Sequence, residues 1–424
     1  MKPNKLHILL WFLKLRYSRL FHSNKISGSR VRHWKKTLSK SDFYQPLISS
    51  GDFPIMNKQR FMDHFDEINT VGVYKSEAMD IALKSEQSRD FTPTINNISI
   101  GLSSGTSGNK GIFLTNPAEK AIWVGAILDR VIGLSLKKRK VAFFLRANNN
   151  LYESVKSKTL EFTFFDLKES VNVHFQRLAE LSPDILVAQP SALYQIAKCY
   201  EGTNTKPTFS KVISVAEVLE DDQKAYFQRV FQCRIDQVYQ CTEGFLAYTC
   251  KQGKLHFNED WLKIEKRYLD ESRFHPIITD YLRSSQPIVR YELNDIIHEG
   301  KVCTCGSKAT VIDRIEGRSD DVFLFEVAGD EKIIYPDFIR RAVISSSDEI
   351  LNYLVRKTSK SRLEVSLETT DKSSSNEVFD TVKQRLVELL TQYGVVDIEI
   401  TQMEYQHDPM MKFTRIKNDS RENV

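Results

Sequence analysis

The chain has 424 residues with 41% hydrophobic and 27% charged side chains, proportions that exclude general disorder and leave room for two or three domains of about 150 residues. Lys and Arg number 60 against 55 Asp and Glu, but residues 1–41 hold eleven Lys and Arg and no acid, so the remainder carries 49 against 55, or −6. A body of that sign excludes a nucleic-acid-binding protein of the kind that spreads cations over its binding face.

The basic character belongs to an N-terminal arm, residues 1–42. No run of 18 apolar residues is present, so the sequence predicts no membrane-spanning helix. The mostly apolar segment 6–13 (LHILLWFL) has basic flanks, yet Tyr17, Phe21 and His22 stand where a small-x-small cleavage site belongs. The segment therefore predicts a retained helix. Leu6, Leu9, Leu10, Leu13, Tyr17, Leu20 and Phe21 share one face at helical spacing. Two roles suit that face: packing on the body, or peripheral contact of residues 1–22 with an anionic membrane. If the arm were an anchor alone, its removal would leave the body folded. Six cysteines in a chain of this length are not a disulfide framework, and a reducing, cytoplasmic compartment suits them better.

Residues 43–54 read as loop, with helices predicted near 57–65 and 76–84. Residues 98–115 read as strand, glycine-rich loop and strand. A helix over 117–134 opens on Pro117, where the missing N–H costs nothing. Buried strands are then predicted at 141–145, 162–165, 185–188, 212–215 and 237–240, with helices at 192–200 and 221–231. This alternation predicts an α/β large domain, residues 43–316, with a largely parallel sheet. Shorter strands fill 255–297. From 317 to 424 a smaller α+β domain follows: strand 322–325, helix 337–343, strands near 350–355 and 363–367, a polar spacer, helix 377–392 and strand 396–400.

The most informative segment is residues 103–111, SSGTSGNKG. Gly105, Gly108 and Gly111 allow close backbone approach, Ser103, Ser104, Thr106 and Ser107 supply hydroxyls, and Lys110 supplies a cation. Together these suit a phosphate cradle, although the spacing is not that of a P-loop. A plain Ser/Gly loop has the same composition.

The order of motifs after it resembles the adenylate-forming (AMP-binding) enzyme superfamily. In that family such a loop holds the phosphates of ATP while a carboxylate attacks the α-phosphate. YQCTE, residues 239–243, is similar to the family's Y-x-x-T-E motif. The resemblance gives Thr242 a phosphate oxygen and Glu243 the Mg²⁺, a hard ion that prefers oxygen ligands. Tyr239 would line the nucleotide site. RYELND, residues 290–295, is similar to Y-R-T-x-D, which implies that Asp295 accepts the ribose hydroxyls. GRSDD, residues 317–321, is similar to the hinge motif, with Arg318 on the nucleotide and Asp320 as the pivot of a lid domain. KFTRI, residues 412–416, is similar to the tail element that carries the catalytic lysine, here Lys412. The family's glycine before that lysine is Met411 in this chain, which leaves Lys417 as an alternative.

Residues 211–220 (KVISVAEVLE) and 255–260 (LHFNED) are similar to segments of phenylacetate–CoA ligases, CapK-type proteins and coenzyme F synthetase-related proteins. That branch implies that Ala216 and Glu217 line the adenine and acyl pocket. The resemblance covers residues 43–420. It implies an ANL-type fold, ATP and Mg²⁺, a carboxylic-acid substrate, and an acceptor thiol from coenzyme A or the pantetheine arm of an acyl carrier protein. Adenylyl transfer onto a small-molecule phosphate is a second reading. A non-catalytic nucleotide-binding component of a polysaccharide or secondary-metabolite pathway is a third, and the joint presence of Thr242, Glu243, Asp295 and Arg318 argues against it.

Cys250, His256, Cys303 and Cys305 offer three thiolates and an imidazole, a set that suits tetrahedral Zn²⁺. Their spacing matches no standard finger, so free buried cysteines are the other reading. Some members of the resembled branch carry a structural zinc here. Cys199 and Cys233 fall within helical or strand patterns and read as core.

Overall fold

Most helices of the first half start where the sequence offers a cap. Asn4 accepts from the Leu6 amide at α1 (Lys5–Leu20), and Ser27 from that of Arg30 at α2 (Gly28–Leu38). Asn57 accepts from Arg60 at α3 (Lys58–Asp63), which α4 (Phe65–Ile68) and α5 (Lys75–Ser88) follow. At α6 (Pro117–Ile127) the Asn116 side chain accepts from the Glu119 amide, and Glu119 accepts in return from Asn116. The predicted 117–134 helix ends there as α-helix and continues as a π-helical turn, Leu128–Ile132. Next come α7 (Val171–Leu181), α8 (Pro190–Glu201) and α9 (Asp221–Phe231). Then α10 (Pro336–Ile344) and α11 (Ser375–Gln392) follow. The computed structural model describes residues 4–21, 26–88, 90–102, 111–133, 135, 137–145, 159–167, 169, 171–318, 321–334, 336–406 and 414–420. The chain divides into two units, residues 1–293 with 297–315 and residues 294–296 with 316–424.

In the first unit β1 (Thr94–Ile95), β2 (Ile98–Leu102) and β3 (Ile112–Thr115) form a small antiparallel sheet. Leu102 pairs with Ile112, so the glycine-rich segment joins β2 to β3. The main sheet is built from β4 (Arg139–Leu145), β5 (Leu160–Asp166), β6 (Ile185–Ala188), β7 (Lys211–Ser214), β8 (Ile235–Cys241), β9 (Gly244–Thr249), β10 (Leu255–Phe257), β11 (Leu262–Tyr268), β12 (Arg273–Asp280), β13 (Tyr291–Glu292), β14 (Asp295–Glu299) and β15 (Val311–Arg318). Its order is β11-β12-β14-β15-β10-β9-β8-β7-β6-β4-β5, with β13 on β12. Strands β5, β4, β6, β7 and β8 run parallel, linked by α7, α8 and α9. At β8 the direction changes. The pairs β8–β9, β9–β10, β10–β15, β11–β12 and β12–β14 are antiparallel. The parallel sheet expected from the sequence is thus half of the observed one. The reason is the stretch 244–299, whose described residues form no helix that could carry a parallel crossover.

The second unit holds a β16 (Phe323–Val327) and β17 (Asp330–Ile334) hairpin. Its four-stranded sheet has the order β20-β19-β18-β21, from β18 (Ile350–Ser359), β19 (Arg362–Thr369), β20 (Glu399–Glu404) and β21 (Ile416–Asn418). Phe323, Val343, Tyr353, Val355, Val382 and Leu386 fill its core. The strand expected at 396–400 lies at 399–404, because Val396 is exposed and Asp397 takes a φ of +60°.

Helix α1 forms as expected, but on the opposite face. Phe12 and Leu15 are buried against α6 and the π-helical turn, with Ile8 and Trp11 partly buried beside them. The approach is close at Gly125 of α6. A Cβ there would stand 2.9 Å from the Phe12 amide nitrogen and 3.2 Å from the Ile8 carbonyl. The Arg19 guanidinium holds both oxygens of the wholly buried Asp129 carboxylate, at 2.7 and 3.0 Å. Helix α2 is tied down as well, since Arg30 donates to the Asp260 carbonyl. Arg130 in turn reaches the Asp260 carboxylate at 2.7 Å.

Candidate active site and cysteine cluster

The carboxyl ends of β6, β7 and β8 carry the segments that the sequence singles out. In an α/β sheet this edge collects ligands, because the loops leaving parallel strands converge there. After β7, Ala216 takes a φ of +68°, a left-handed conformation that a Cβ disfavours. This places Glu217 so that its carboxylate accepts from the Ser191 amide at 3.1 Å. Ser191 lies in the first turn of α8, where Gln189 makes no side-chain cap. The Glu217 carboxylate therefore satisfies a free amide and complements the helix dipole.

Tyr239 pairs with Ala247 across β8 and β9 and packs on the main core, its ring 6.4 Å from that of Phe257. Thr242 and Glu243 form the tight turn between these strands, and the Thr242 hydroxyl donates to the Glu243 carboxylate at 2.9 Å. Gly244 follows with a φ of +158°. The turn borders a small cleft that is also lined by Lys58, Met62, Gly111 and Tyr291. Gly111 is the last residue of the glycine-rich motif, so its return strand and the Thr242–Glu243 turn face one space.

One segment that the sequence did not mark, residues 280–288, holds this arrangement. Arg283 donates to the Thr242 carbonyl at 3.1 Å and to the Leu114 carbonyl at 3.3 Å. Buried Gln286 clamps one edge of β3, accepting from the Leu114 amide and donating to the Ile112 carbonyl, each at 3.1 Å. The Glu119 carboxylate accepts from the amides of Ser284 and Ser285 at 2.6 and 2.9 Å. Asp280 accepts from the amides of Leu282 and Arg283. Complete burial pushes its carboxyl up to about 6, against the pull of those amides and of Arg283. No local pattern flags Arg283 or Gln286, whose partners lie far away in sequence.

Asp295 opens β14 and is half-buried. Arg318 ends β15. Ser103, Ser104, Gly105, Thr106, Ser107, Gly108, Lys110, Asp320 and Lys412 lie outside the described residues. Lys417, the alternative to Lys412, sits in β21 with its ammonium 2.6 Å from the Asp419 carboxylate.

The cysteine cluster does come together. One ligating atom from each of Cys250, His256, Cys303 and Cys305 lies within 4.8 Å of the others. The Cys250 and Cys303 sulfurs are 3.8 Å apart, and the Cys305 sulfur is 3.6 Å from His256 Nε2. His256 is wholly buried, with Nδ1 3.2 Å from the Ala309 carbonyl. That contact fixes Nδ1 as the protonated nitrogen and turns the Nε2 lone pair into the cluster, an arrangement usual for metal-ligating histidines. Burial pushes the Cys305 thiol up to about 11, and the neighbouring thiols add to the rise, against a hydrogen bond from the Ser307 amide. A divalent cation would reverse that balance.

No family model and no curated protein matches this chain. Solved structures do. A 2-hydroxyisobutyryl-CoA ligase in its postadenylation state with 2-HIB-AMP superposes with a TM-score of 0.63 at 15% identity, covering 99% of this chain and 91% of that one. The amide bond synthetase McbA from Marinactinospora thermotolerans gives 0.55 at 11% identity, with 91% and 93% covered. A benzoate CoA ligase from Burkholderia xenovorans LB400 gives 0.53 at 14%, with 76% and 69% covered. The chain has the fold of these ligases.

Proposed function

We propose that the protein activates a carboxylic acid with ATP as an acyl-adenylate and passes the acyl group to a thiol, from coenzyme A or a carrier-protein pantetheine arm. The carrying observation is the convergence, through Arg283, of the strand leaving SSGTSGNKG with the Thr242–Glu243 turn at the carboxyl edge of the parallel strands. The fold and the ligases that share it support the same reading.

In this reading Ser103, Ser104, Gly105, Thr106, Ser107 and Gly108 cradle the phosphates and Lys110 neutralises them. Thr242 holds an α-phosphate oxygen, and Glu243 supplies the oxygen ligand for Mg²⁺ that phosphate chemistry requires. Tyr239, Ala216 and Glu217 wall the nucleotide and acyl space, with Glu217 acting by fixing the start of α8. Asp295 takes the ribose hydroxyls and Arg318 the nucleotide. Lys412 stabilises the charge that develops as the acyl–phosphate bond forms, and Asp320 is the hinge. Acceleration then comes from alignment of the carboxylate with the α-phosphorus and from preorganised charge. The test is carboxylate-dependent exchange of pyrophosphate into ATP across aryl, fatty and hydroxy acids. Failure of every acid with folded, ATP-bound protein would overturn the reading.

The cysteine cluster fits a structural Zn²⁺. Cys250, His256, Cys303 and Cys305 would hold the ion, and three sulfurs with one nitrogen would fill the usual four-ligand set of a structural zinc without leaving a position for substrate. Its role is to pin the turn at 300–310 to the end of β9.

A further inference from the structure

Helix α1 is apolar on two opposite faces. The inner one, Ile8, Trp11, Phe12 and Leu15, is covered by the body. The outer one is not. Leu6, Leu9, Leu10, Leu13, Tyr17, Leu20 and Phe21 are between 48% and 67% exposed. At about 100° per residue they form one stripe roughly 120° wide. A soluble surface rarely keeps seven large apolar side chains contiguous without a partner.

The edges of the stripe are cationic. At the same angular spacing Lys14 falls on one side, and Lys5 and Arg16 on the other; the Lys14 and Arg16 head groups rest over the Trp11 and Phe12 rings, at 4.5 and 5.4 Å, on long stems that can turn outward. No acidic residue occurs anywhere in 1–41. Two copies of this face would repel each other, whereas an anionic surface complements both the stripe and its borders. The helix is held by its inner face through the Arg19–Asp129 pair, so the stripe is presented already folded, with no ordering cost on contact.

We infer that the outer face of α1 docks the enzyme flat on the anionic lipid surface of a membrane, the apolar stripe entering the headgroup boundary and Lys5, Lys14 and Arg16 meeting lipid phosphates. No helix among the described residues is long and apolar enough to cross a membrane, so the contact is peripheral. It places the ligase where acids that partition into membranes are concentrated.

The experiment is sedimentation of the full chain with vesicles of phosphatidylcholine alone and of phosphatidylcholine with phosphatidylserine. The proposal expects binding to the anionic vesicles, weakened by about 0.5 M salt. It also expects about tenfold weaker binding of Leu10→Gln/Leu13→Gln at an unchanged melting temperature. Three results would overturn it: no binding to anionic vesicles; equal binding by the variant; or self-association of the wild type that the double substitution abolishes, which would make the stripe a dimer interface. None of these outcomes depends on ligase activity.

Discussion

The guanidinium of Arg283 donates to the Thr242 carbonyl at 3.1 Å, and with its second amino group to the Leu114 carbonyl at 3.3 Å. One planar fork thus fixes the turn with the proposed metal-binding carboxylate against the strand that leaves the glycine-rich loop. Lysine, a single point donor on a flexible stem, cannot hold both. Arg283→Lys should lower the rate of pyrophosphate exchange at least about tenfold while retaining ATP binding. Arg283→Ala should in addition cost about 1–3 kcal/mol of stability, through the carbonyls left unsatisfied. Wild-type exchange in Arg283→Lys would dismiss the positioning role.

Asp280 gives a pH signature. Its folded pKa, about 6, lies above the ordinary value of 3.8. The folded state therefore retains a proton that the unfolded chain has lost between those values. The favourable contribution is full below about pH 4 and is lost as pH rises through 6, up to about 3 kcal/mol. Asn at 280 keeps an oxygen for the amides of Leu282 and Arg283 and carries no charge. Asp280→Asn should therefore gain melting temperature relative to wild type as pH moves from 4 to 7. A constant difference across that range would remove Asp280 as the titrating group.

For the cysteine cluster, mass spectrometry under native conditions should find one zinc per chain. Cys303→Ser should lower the melting temperature by several degrees and release the metal, because ligand binding to the folded state is folding free energy. Well under one zinc per chain together with a normally stable Cys303→Ser would leave the four residues as an unmetallated cluster.

Lys412 and Lys417 can be separated. Lys417 is committed to Asp419 in β21, and its side chain is one-third exposed, so Lys417→Ala should cost at most about 1 kcal/mol and leave adenylation intact. Lys412→Ala should suppress adenylation far more than ATP binding. The reverse pattern would transfer the role to Lys417.

Removal of residues 1–22 should destabilise the protein rather than merely release an anchor. Phe12 and Leu15 are buried, each worth about 1.5–3 kcal/mol. Loss of Arg19 also leaves Asp129, wholly buried, without its bidentate partner. Thermal unfolding of the truncated chain at the wild-type midpoint would contradict this.

Much of the scaffold could be read from neighbouring residues alone. Pro117 behind Asn116, with Glu119 three places on, marks the start of α6. Residues 221–231 are helical as predicted, and the apolar runs near 141, 162, 185, 212 and 237 become β4 to β8. Helices α2 and α7 escaped, and α2 is mostly polar. Caps and periodicity act over one or two turns of chain, and a sequence displays that range directly. Tertiary structure decided the rest. Helix α1 has two apolar faces, and only the close approach allowed by Gly125 and the Arg19–Asp129 pair chose which one is buried. The sulfurs of Cys250 and Cys303, 53 residues apart, meet because the β9–β10 and β10–β15 registers bring their turns to one end of the sheet. Arg283 finds Leu114 across 169 residues. Such contacts depend on strand register summed over the whole sheet, a quantity that no local pattern encodes.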